Sequence, residues 1–421
     1  MANLSEMSGR RTRVPKSLPP SWNQLKLTDV CRPRQWPTIS KSELTETGYA
    51  VYGANGQIGF YSKFTHAESV IAITCRGATC GTIHRIPAFS YLTGNAMALD
   101  DLDISTIEQS YLFHALTYRG FADIVSGSAQ PQITREGLTP VAIPVPPLPE
   151  QKKIAAVLSS VDAAIEKTEA VIAQLQVIKK AMMEQLLTKG MPGRHTRFKQ
   201  TDLGEIPEEW TIRRIADLGL ADTQVVRSGP FGSSLKTKDF LDRGIPVLTI
   251  QSLGEGTILR DGLFFISEEK AKELQEYKLL VNDLVFSRVA DIGRCAAITT
   301  EETGWLISSN LTRVRLDPAR ASAQLIAEML TMSPPVRRQI QMLTGSSGRP
   351  VISSNMLQQI LIPLAPISEQ LAISECCNSI QQRISQESST VNALRSLKSS
   401  LSSSLLSGEL RVPTDSVPCP V

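Results

Sequence analysis

Three short segments contain residue types that could do chemistry. Residues 229–236 (Gly-Pro-Phe-Gly-Ser-Ser-Leu-Lys) partly match a phosphate-binding loop, but no glycine directly precedes the lysine, so the full pattern fails. Cys75, Cys80 and His84 have metal-ligand side chains, but the fourth ligand of a zinc site is missing, and we favour buried thiols beside strands. Residues 268–270 (Glu-Glu-Lys) could belong to a nuclease metal site, but no acidic partner is recognisable, which favours a solvated helix start.

The rest of the chain offers no recognisable catalytic centre. His66, His84, His114 and His195 have no motif spacing, and the sequence lacks both a dinucleotide-binding fingerprint and a G-x-S-x-G elbow. We therefore predict that this chain holds no catalytic residue, no metal and no cofactor.

Polar side chains on or beside turns instead favour surface recognition of DNA. Arginine, asparagine and glutamine read base edges, whereas lysine and serine mostly hold phosphates. For any single residue the alternative is an ordinary exposed polar side chain, so the prediction depends on the whole set. The candidates in the first half are Tyr52, Asn55, Gln57, Tyr61, Lys63, Arg76, Thr79 and His84. Those in the second half are Arg227, Ser228, Ser233, Lys236, Lys238, Gln251, Arg288, Arg294 and Asn310.

Two details of these sets predict a shared layout. Arg76 followed by Gly81 matches Arg288 followed by Gly293, with four residues between the members of each pair, and Asn95 matches Asn310. We expect the matched residues to occupy equivalent positions.

Two long stretches must position these residues. Their apolar residues recur in a 3-4 pattern that is typical of a coiled-coil seam, and the same two positions interrupt it, Thr168 and Lys179 or Glu387 and Lys398. About 38 residues at 1.5 Å each give roughly 57 Å of helix, which cannot bury such a seam alone. We predict that the two helices pair antiparallel; the alternative is that each packs on its own globular domain. The seam residues are Ile154, Leu158, Val161, Ile165, Ile172, Leu175, Met182 and Leu186, then Ile373, Cys377, Ile380, Ile384, Val391, Leu394, Leu401 and Leu405.

The chain repeats one unit twice. An offset of 219 relates Glu150 to Glu369 and Leu187 to Leu406 without a gap. At the starts of the units an offset of 188 relates Trp22 to Trp210, so the second copy contains 219 − 188 = 31 extra residues. Such a repeat predicts one supersecondary unit used twice, with diverged middles.

The globular parts are predicted to be mixed α/β (α+β). Strand-like runs occupy residues 69–74, 245–250 and 283–287, and residues 268–277 and 321–332 form short helices. We divide the chain into an N-terminal tail (1–21), a globular domain (22–149), a helix (150–189), a basic linker (190–207), a second globular domain (208–367), a second helix (368–407) and a C-terminal tail (408–421).

Composition sets limits on the partners. Lys plus Arg total 44 and Asp plus Glu 41, a net charge of +3, so any basic surface for nucleic acid must be local. The N-terminus has no apolar signal region and no apolar run is long enough to span a membrane. Seven scattered cysteines in a chain of 421 residues indicate reduced thiols in a cytoplasmic protein.

The repeat is similar to the specificity subunit of type I restriction–modification systems, over residues 22–406. The two helix starts carry this resemblance, Ile-Pro-Val-Pro-Pro-Leu-Pro-Glu-Gln at 143–151 and Ile-Pro-Leu-Ala-Pro-Ile-Ser-Glu-Gln at 362–370. So do the helix ends at 186–190 and 405–408, the opening of the second unit at 203–210, and residues 229–236. A serine-rich stretch at 399–404 departs from the pattern and should weaken that end of the seam.

The resemblance implies that each globular part is a target recognition domain. The two domains would read the unequal halves of a bipartite DNA site about one helical turn apart, roughly 34 Å. It also implies that the helices fix the spacer and dock two methyltransferase subunits, which bring S-adenosylmethionine and methylate an adenine that leaves the stack. Motor–nuclease subunits that use ATP and Mg²⁺ would complete the complex.

The main alternative is a coiled-coil scaffold with two protein-binding heads and no role on DNA. A self-sufficient nuclease or methyltransferase is disfavoured because the motifs of both are missing.

Overall fold

A computed structural model describes residues 18–127, 130–232, 234–254, 256–344 and 351–413. The chain forms two compact units. The first contains Met1–Ala170 with Ser388–Val421, and the second contains Val171–Glu387. Each unit therefore contains a globular part and one portion of each long helix, and the predicted domain boundaries remain a prediction.

The two long helices span Leu148–Lys189 and Ile367–Ser407, one or two residues earlier than predicted at their starts. Each helix is followed by a glycine with positive φ, Gly190 at 73° and Gly408 at 80°, which is the usual way to end a helix in the left-handed region. None of the predicted seam residues is exposed, so the 3-4 pattern correctly identified the buried face.

Within the first unit the two helix portions run antiparallel. Asp162 pairs with Lys398, and Glu169 pairs with Arg395 at 2.6 Å, so residue numbers rise in one portion as they fall in the other. Apolar residues of both portions belong to one core, including Leu158 and, after the serine-rich stretch, Leu405 and Leu406.

The helix portions of the second unit have the same relationship. Lys179 Nζ donates to Gln381 Oε1 at 3.0 Å, and the backbone N–H of Met191 donates to Glu369 at 3.0 Å. Met183 and Ile373 share one core with the globular part of this unit.

Among its described residues, the globular part of the first unit contains three sheets. The four-stranded sheet has the order Arg32–Gln35, Ala96–Asp100, Val70–Thr74, Ile83–Ile86. The three-stranded sheet has the order Gly56–Tyr61, Tyr49–Gly53, Tyr91–Leu92, in which the last pair is parallel. The strand Asn23–Lys26 pairs with Ala142–Val145 just before the long helix. The helices are Leu27–Val30, Gln109–Arg119 and Arg135–Leu138, with a 3₁₀ turn at Lys41–Glu43.

The second unit repeats this topology. Its four-stranded sheet has the order Val226–Ser228, Leu311–Arg315, Asp283–Ser287, Cys295–Ala297, and its three-stranded sheet has the order Phe264–Ile266, Ile245–Leu248, Leu306–Ile307. Thr211–Arg214 pairs with Leu361–Leu364. The helices are Glu268–Glu273, Ala323–Met332, Pro334–Thr344 and Ser354–Gln359, with 3₁₀ turns at Ile215–Leu218, Thr237–Asp239, Ile250–Ser252 and Gln275–Tyr277.

The mixed α/β prediction is thus confirmed. Val70–Thr74 and Asp283–Ser287, two of the three predicted strands, are fully buried central strands, as runs of β-branched and apolar residues favour. The third, Ile245–Leu248, is two residues shorter than predicted because a 3₁₀ turn follows it.

The predicted linker and the start of the predicted C-terminal tail both contain ordered contacts. Phe198–Thr201 and Gly204–Pro207 form an antiparallel hairpin inside the predicted linker 190–207, and the side chain of His195 is buried there. The predicted tail from residue 408 is held as far as Arg411, which bonds to Glu150. In each segment a basic side chain binds a buried carboxylate, His195 to Glu369 and Arg411 to Glu150.

Candidate nucleic-acid interface

A buried glutamine anchors each long helix to the globular part of its unit. Gln151 accepts from the Glu108 backbone N–H at 2.8 Å and donates to the carbonyls of Thr106 and Pro146. Gln370 makes the same three bonds with Ser322, Arg320 and Ala365. The Glu-Gln motif is therefore architectural, since it satisfies backbone groups where the strand and helix meet.

The preceding glutamate forms a second repeated contact, which we call the clamp. In the first unit it consists of Trp22, Glu150 and Arg411: the indole N–H donates to Glu150 at 3.1 Å, and the guanidinium binds both carboxylate oxygens at 2.7 and 2.9 Å. Burial raises the pKa of Glu150, but the hydrogen bonds from Arg411 and Trp22 outweigh it, and the pKa lies below its ordinary value.

In the second unit the clamp consists of Trp210, Glu369 and His195. The indole of Trp210 donates to Glu369 at 3.1 Å, and His195 Nε2 lies 2.8 and 3.0 Å from the two carboxylate oxygens. Burial raises the pKa of Glu369, but hydrogen bonds from the Met191 backbone, His195 and Trp210 lower it below the ordinary value. Both glutamates are thus held as buried carboxylates.

At one end of the first globular part, three of the residues predicted to read DNA lie on two neighbouring loops. Thr79 Oγ1 donates to Asn55 Oδ1 at 2.6 Å, which joins the turn after Tyr49–Gly53 to the loop after Val70–Thr74. Arg76 lies in the same loop, is exposed, and makes no side-chain hydrogen bond or ion pair within the described part of the chain. This exposed group of donors and acceptors has the chemistry that reads base edges.

The other candidates of the first domain are more dispersed. Tyr52 is half-buried in its strand, and Gln57 is exposed on the strand that pairs with it. Lys63 is exposed beyond the far end of Gly56–Tyr61, away from Asn55. His84 is half-buried, with Nε2 3.1 Å from Thr74 Oγ1, and burial lowers its pKa.

Cys75 and Cys80 are buried thiols. Burial raises the pKa of Cys75, and it raises the pKa of Cys80 to about 11, which opposes the thiolate form that binds zinc. Among the described residues, no group of three or more histidine, cysteine, aspartate or glutamate side chains could hold a metal ion.

The corresponding end of the second domain gathers a different set. The Arg288 backbone N–H donates to the Asn310 carbonyl at 3.2 Å, and Gly229 donates to the Leu311 carbonyl at 2.9 Å. Arg294 reaches the Leu253 carbonyl at 3.2 Å, which places it beside the 3₁₀ turn that carries the exposed Gln251. Arg288 Nε is buried and has no hydrogen-bond partner within the described ranges.

The remaining candidates of the second domain have other surroundings. Arg227 lies in a strand, where it pairs with Glu276, and Ser228 Oγ lies 3.0 Å from Ser354 Oγ. Lys236 and Lys238 are exposed at the 3₁₀ turn that leads to the three-stranded sheet. Ser233 lies outside the described residues.

The predicted equivalence of Arg76 and Arg288 is wrong by one residue. The Cys75 backbone N–H donates to the Asn95 carbonyl, as that of Arg288 does to Asn310, and the carbonyl of each accepts from an isoleucine, Ile133 or Ile352. Arg288 therefore corresponds to the buried Cys75, and the loop after it is one residue shorter. The match between Asn95 and Asn310 is correct.

Sequence reasoning missed one further repeat and one polar residue. Residues 40–52 match 236–248 without a gap. In both segments a glycine with strongly positive φ, Gly48 (131°) or Gly244 (139°), precedes a paired strand. The spacing of an acidic residue, this glycine and a valine could have revealed it. Gln35, which donates to the Gly94 carbonyl at 2.9 Å, is exposed on an edge strand and had no motif.

Among the described residues, none of the helices combines the length and apolar character that a membrane crossing requires.

Comparison with known proteins supports a single class. Residues 19–177 match the family model of the type I restriction modification DNA specificity domain. The chain is 25% identical to the MjaVIII type I restriction enzyme specificity subunit of Methanocaldococcus jannaschii, over 97% of this chain and 96% of that protein. It is 24% identical to the EcoBI specificity subunit of Escherichia coli, over 62% of this chain and 56% of that protein.

Solved structures support the fold. The S subunit of a type I restriction–modification system from M. genitalium matches with a TM-score of 0.65 at 14% identity, over 94% of this chain and 99% of that one. Residues 19–177 are thus similar to the type I restriction modification DNA specificity domain. The predicted resemblance of the chain to type I specificity subunits is confirmed.

Proposed function

We propose that this chain is the DNA sequence-recognition subunit of a type I restriction–modification complex and reads a bipartite, asymmetric site with two target recognition domains. The observation that carries the proposal is the repetition of one architecture with different exposed loop residues. Sheet order, helix anchor and clamp recur in both units, whereas the exposed loop residues differ. Such a chain suits two half-sites of unequal sequence, because the same architecture presents a different set of loop residues in each unit.

For the first half-site, the proposed readers are Asn55, Arg76 and Thr79, with Gln57 and Tyr52 beside them. For the second, they are Arg288, Arg294 and Gln251. The lysines Lys63, Lys236 and Lys238, together with Ser228, Ser233 and Arg227, suit phosphate contacts at the edges of each domain, because such contacts position the protein without reading sequence.

Two methyltransferase subunits are the proposed partners of the long helices. Ile178 and Leu397 are related by the 219-residue offset of the repeat, and both are exposed, at 46% and 47%. Apolar side chains exposed at matched positions suit two copies of one partner. Methylation with S-adenosylmethionine and the ATP- and Mg²⁺-dependent steps belong, in this proposal, to the methyltransferase and motor–nuclease subunits in the cytoplasm.

The decisive experiment is methylation-sensitive sequencing of host DNA with and without the gene. The proposal expects that methyl-adenine disappears at one split, asymmetric motif when the gene is removed. An unchanged methylome, in a strain that expresses an active methyltransferase partner bound to this chain, would contradict it.

A second experiment separates the two readers. In the assembled complex, Arg76→Ala should reduce binding at one half-site, and Arg288→Ala at the other. Inserting four residues after Lys167 should change the accepted spacer or abolish recognition. Electrophoretic shifts at several salt concentrations test the scaffold alternative, because phosphate contacts release counterions and make affinity salt-dependent.

A further inference from the structure

The two clamps share a buried glutamate and a tryptophan, and they differ in the basic side chain that binds the glutamate. Glu150 and Glu369 are almost fully buried, at 1% and 0% exposure, and each accepts from an indole N–H at 3.1 Å. The basic side chain is Arg411 in the first unit and His195 in the second. Each of them lies just after the end of a long helix, and each glutamate lies at the start of the other one.

Each clamp therefore joins three parts of its own unit. Trp22 opens the first recognition domain, Glu150 opens one helix, and Arg411 follows the other helix. Arg411 also donates to Ser21 at 2.9 Å, so it contacts the residue next to Trp22 at the start of the domain. A buried carboxylate without a partner destabilises the folded state, so the clamp opposes any change in the angle between the domain and the helix.

We propose that Glu150 and Glu369 are positioning residues for DNA recognition, which fix the direction in which each recognition domain leaves the helices and thus the spacer of the bipartite site. The inference rests on the proposed function. It adds a chemical asymmetry, because a guanidinium binds the carboxylate in the first clamp and an imidazole binds it in the second.

The surroundings of His195 define that asymmetry. Glu369 faces its Nε2, Glu209 lies 3.9 Å from its Nδ1, and Arg194 Nε lies 3.8 Å from the Glu369 carboxylate. Arg194 is 40% exposed and lies farther from the carboxylate than His195, which is 3% exposed. The second clamp therefore depends on an imidazole where the first has a guanidinium.

The test measures spacer selectivity with the full chain. Duplexes carry the split motif found by sequencing, with the spacer varied one base pair at a time. Glu150→Gln and Glu369→Gln should each reduce the preference for the native spacer by about fivefold, with the selected bases unchanged. Glu375→Gln, at an exposed position of the second long helix, is the matched control and should behave as wild type.

Exchange of the clamp partners gives a readout that a merely structural role would not move. His195→Arg and Arg411→His keep a donor for the carboxylate and should retain the spacer preference, whereas His195→Ala and Arg411→Ala should reduce it about fivefold. Wild-type selectivity in Glu150→Gln, Glu369→Gln and both alanine variants would overturn the inference, as would an equal loss of affinity for every spacer. If the wild-type chain selected no duplex at all, the proposed function itself would fail.

Discussion

Thr79 donates a 2.6 Å hydrogen bond to Asn55, across the gap between two loops of different strands. The bond orients the Asn55 amide, whose remaining donor and acceptor sites face solvent. An oriented amide can bind an adenine edge through two bonds, whereas a rotating one has to be ordered first.

Removal of this bond should weaken the first half-site. We expect Thr79→Val to lower affinity for the cognate first half-site about fivefold, the equivalent of about 1 kcal/mol, and to leave the second half-site unchanged. Fluorescence anisotropy with duplexes mutated in one half-site at a time measures this. Thr82→Val, at an exposed position of the same loop, is the control, and an equal effect of both variants would contradict the prediction.

Gly229 is a steric requirement of the second domain. A Cβ built there would lie 2.0 Å from the Ser308 carbonyl oxygen, whereas one at Gly232 meets nothing within 4 Å. We expect Gly229→Ala to displace the loop and to cost about 2 kcal/mol of stability, with loss of binding at the second half-site only. Denaturant unfolding and half-site binding of Gly229→Ala and Gly232→Ala test this; matching behaviour of the two would refute it.

Gln370 makes three hydrogen bonds to backbone groups at the start of the second long helix. Gln370→Leu leaves those groups buried without partners and should lower the free energy of unfolding by about 2–3 kcal/mol. The exposed Gln382→Leu on the same helix should change it by less than about 0.5 kcal/mol. Chemical denaturation measures both, and a small effect at Gln370 would show that water replaces the lost side chain.

Lys179 and Lys398 interrupt the seam at equivalent positions but in different surroundings. Lys179 lies 3.7 Å from Glu328, a carboxylate exposed by only 3%, whereas Lys398 and its partner Asp162 are both 27% exposed. We expect Lys179→Met to cost about 3 kcal/mol, because it leaves a buried charge unpaired, and Lys398→Met to cost less than about 1 kcal/mol. Unfolding curves of the two variants would contradict this if they coincided.

His114 should make the folded state less stable as the pH falls. Burial, followed by the nearby Arg85, lowers the pKa of His114 to about 4. The unfolded chain takes up this proton near pH 6.5, so stability is lost as pH falls from about 6.5 to about 4, by up to about 3 kcal/mol. His114→Asn should flatten that part of the stability profile; an unchanged slope in thermal or urea unfolding would sink the assignment.

The sequence predicted the helices well because their signal is long and local. Every seam residue follows a 3-4 pattern that the folded chain uses, and the strands 70–74 and 283–287 are dense in β-branched or apolar residues. The hairpin at 198–207 escaped notice, since its strands are short and polar and depend on the neighbouring core.

The candidate sites were harder to predict because backbone hydrogen bonds, rather than residue types, define which residues of the two domains are equivalent. Arg76 and Arg288 look alike in sequence, but the hydrogen bonds of Cys75 and Arg288 define the true correspondence. Conversely, the match between Gly48 and Gly244 depends on a shared φ angle that residue identity alone barely reveals.

The paired anchors at Gln151 and Gln370 have a consequence for heredity. Under the proposed function, the loops of one half can change by mutation while the other half keeps its target, because each globular part is tied to its helix by its own anchor. A new combined specificity would then need changes in only half of one gene. The buried carboxamides of Gln151 and Gln370, by contrast, should rarely be replaced in evolution, because almost any substitution would leave backbone groups without hydrogen-bond partners.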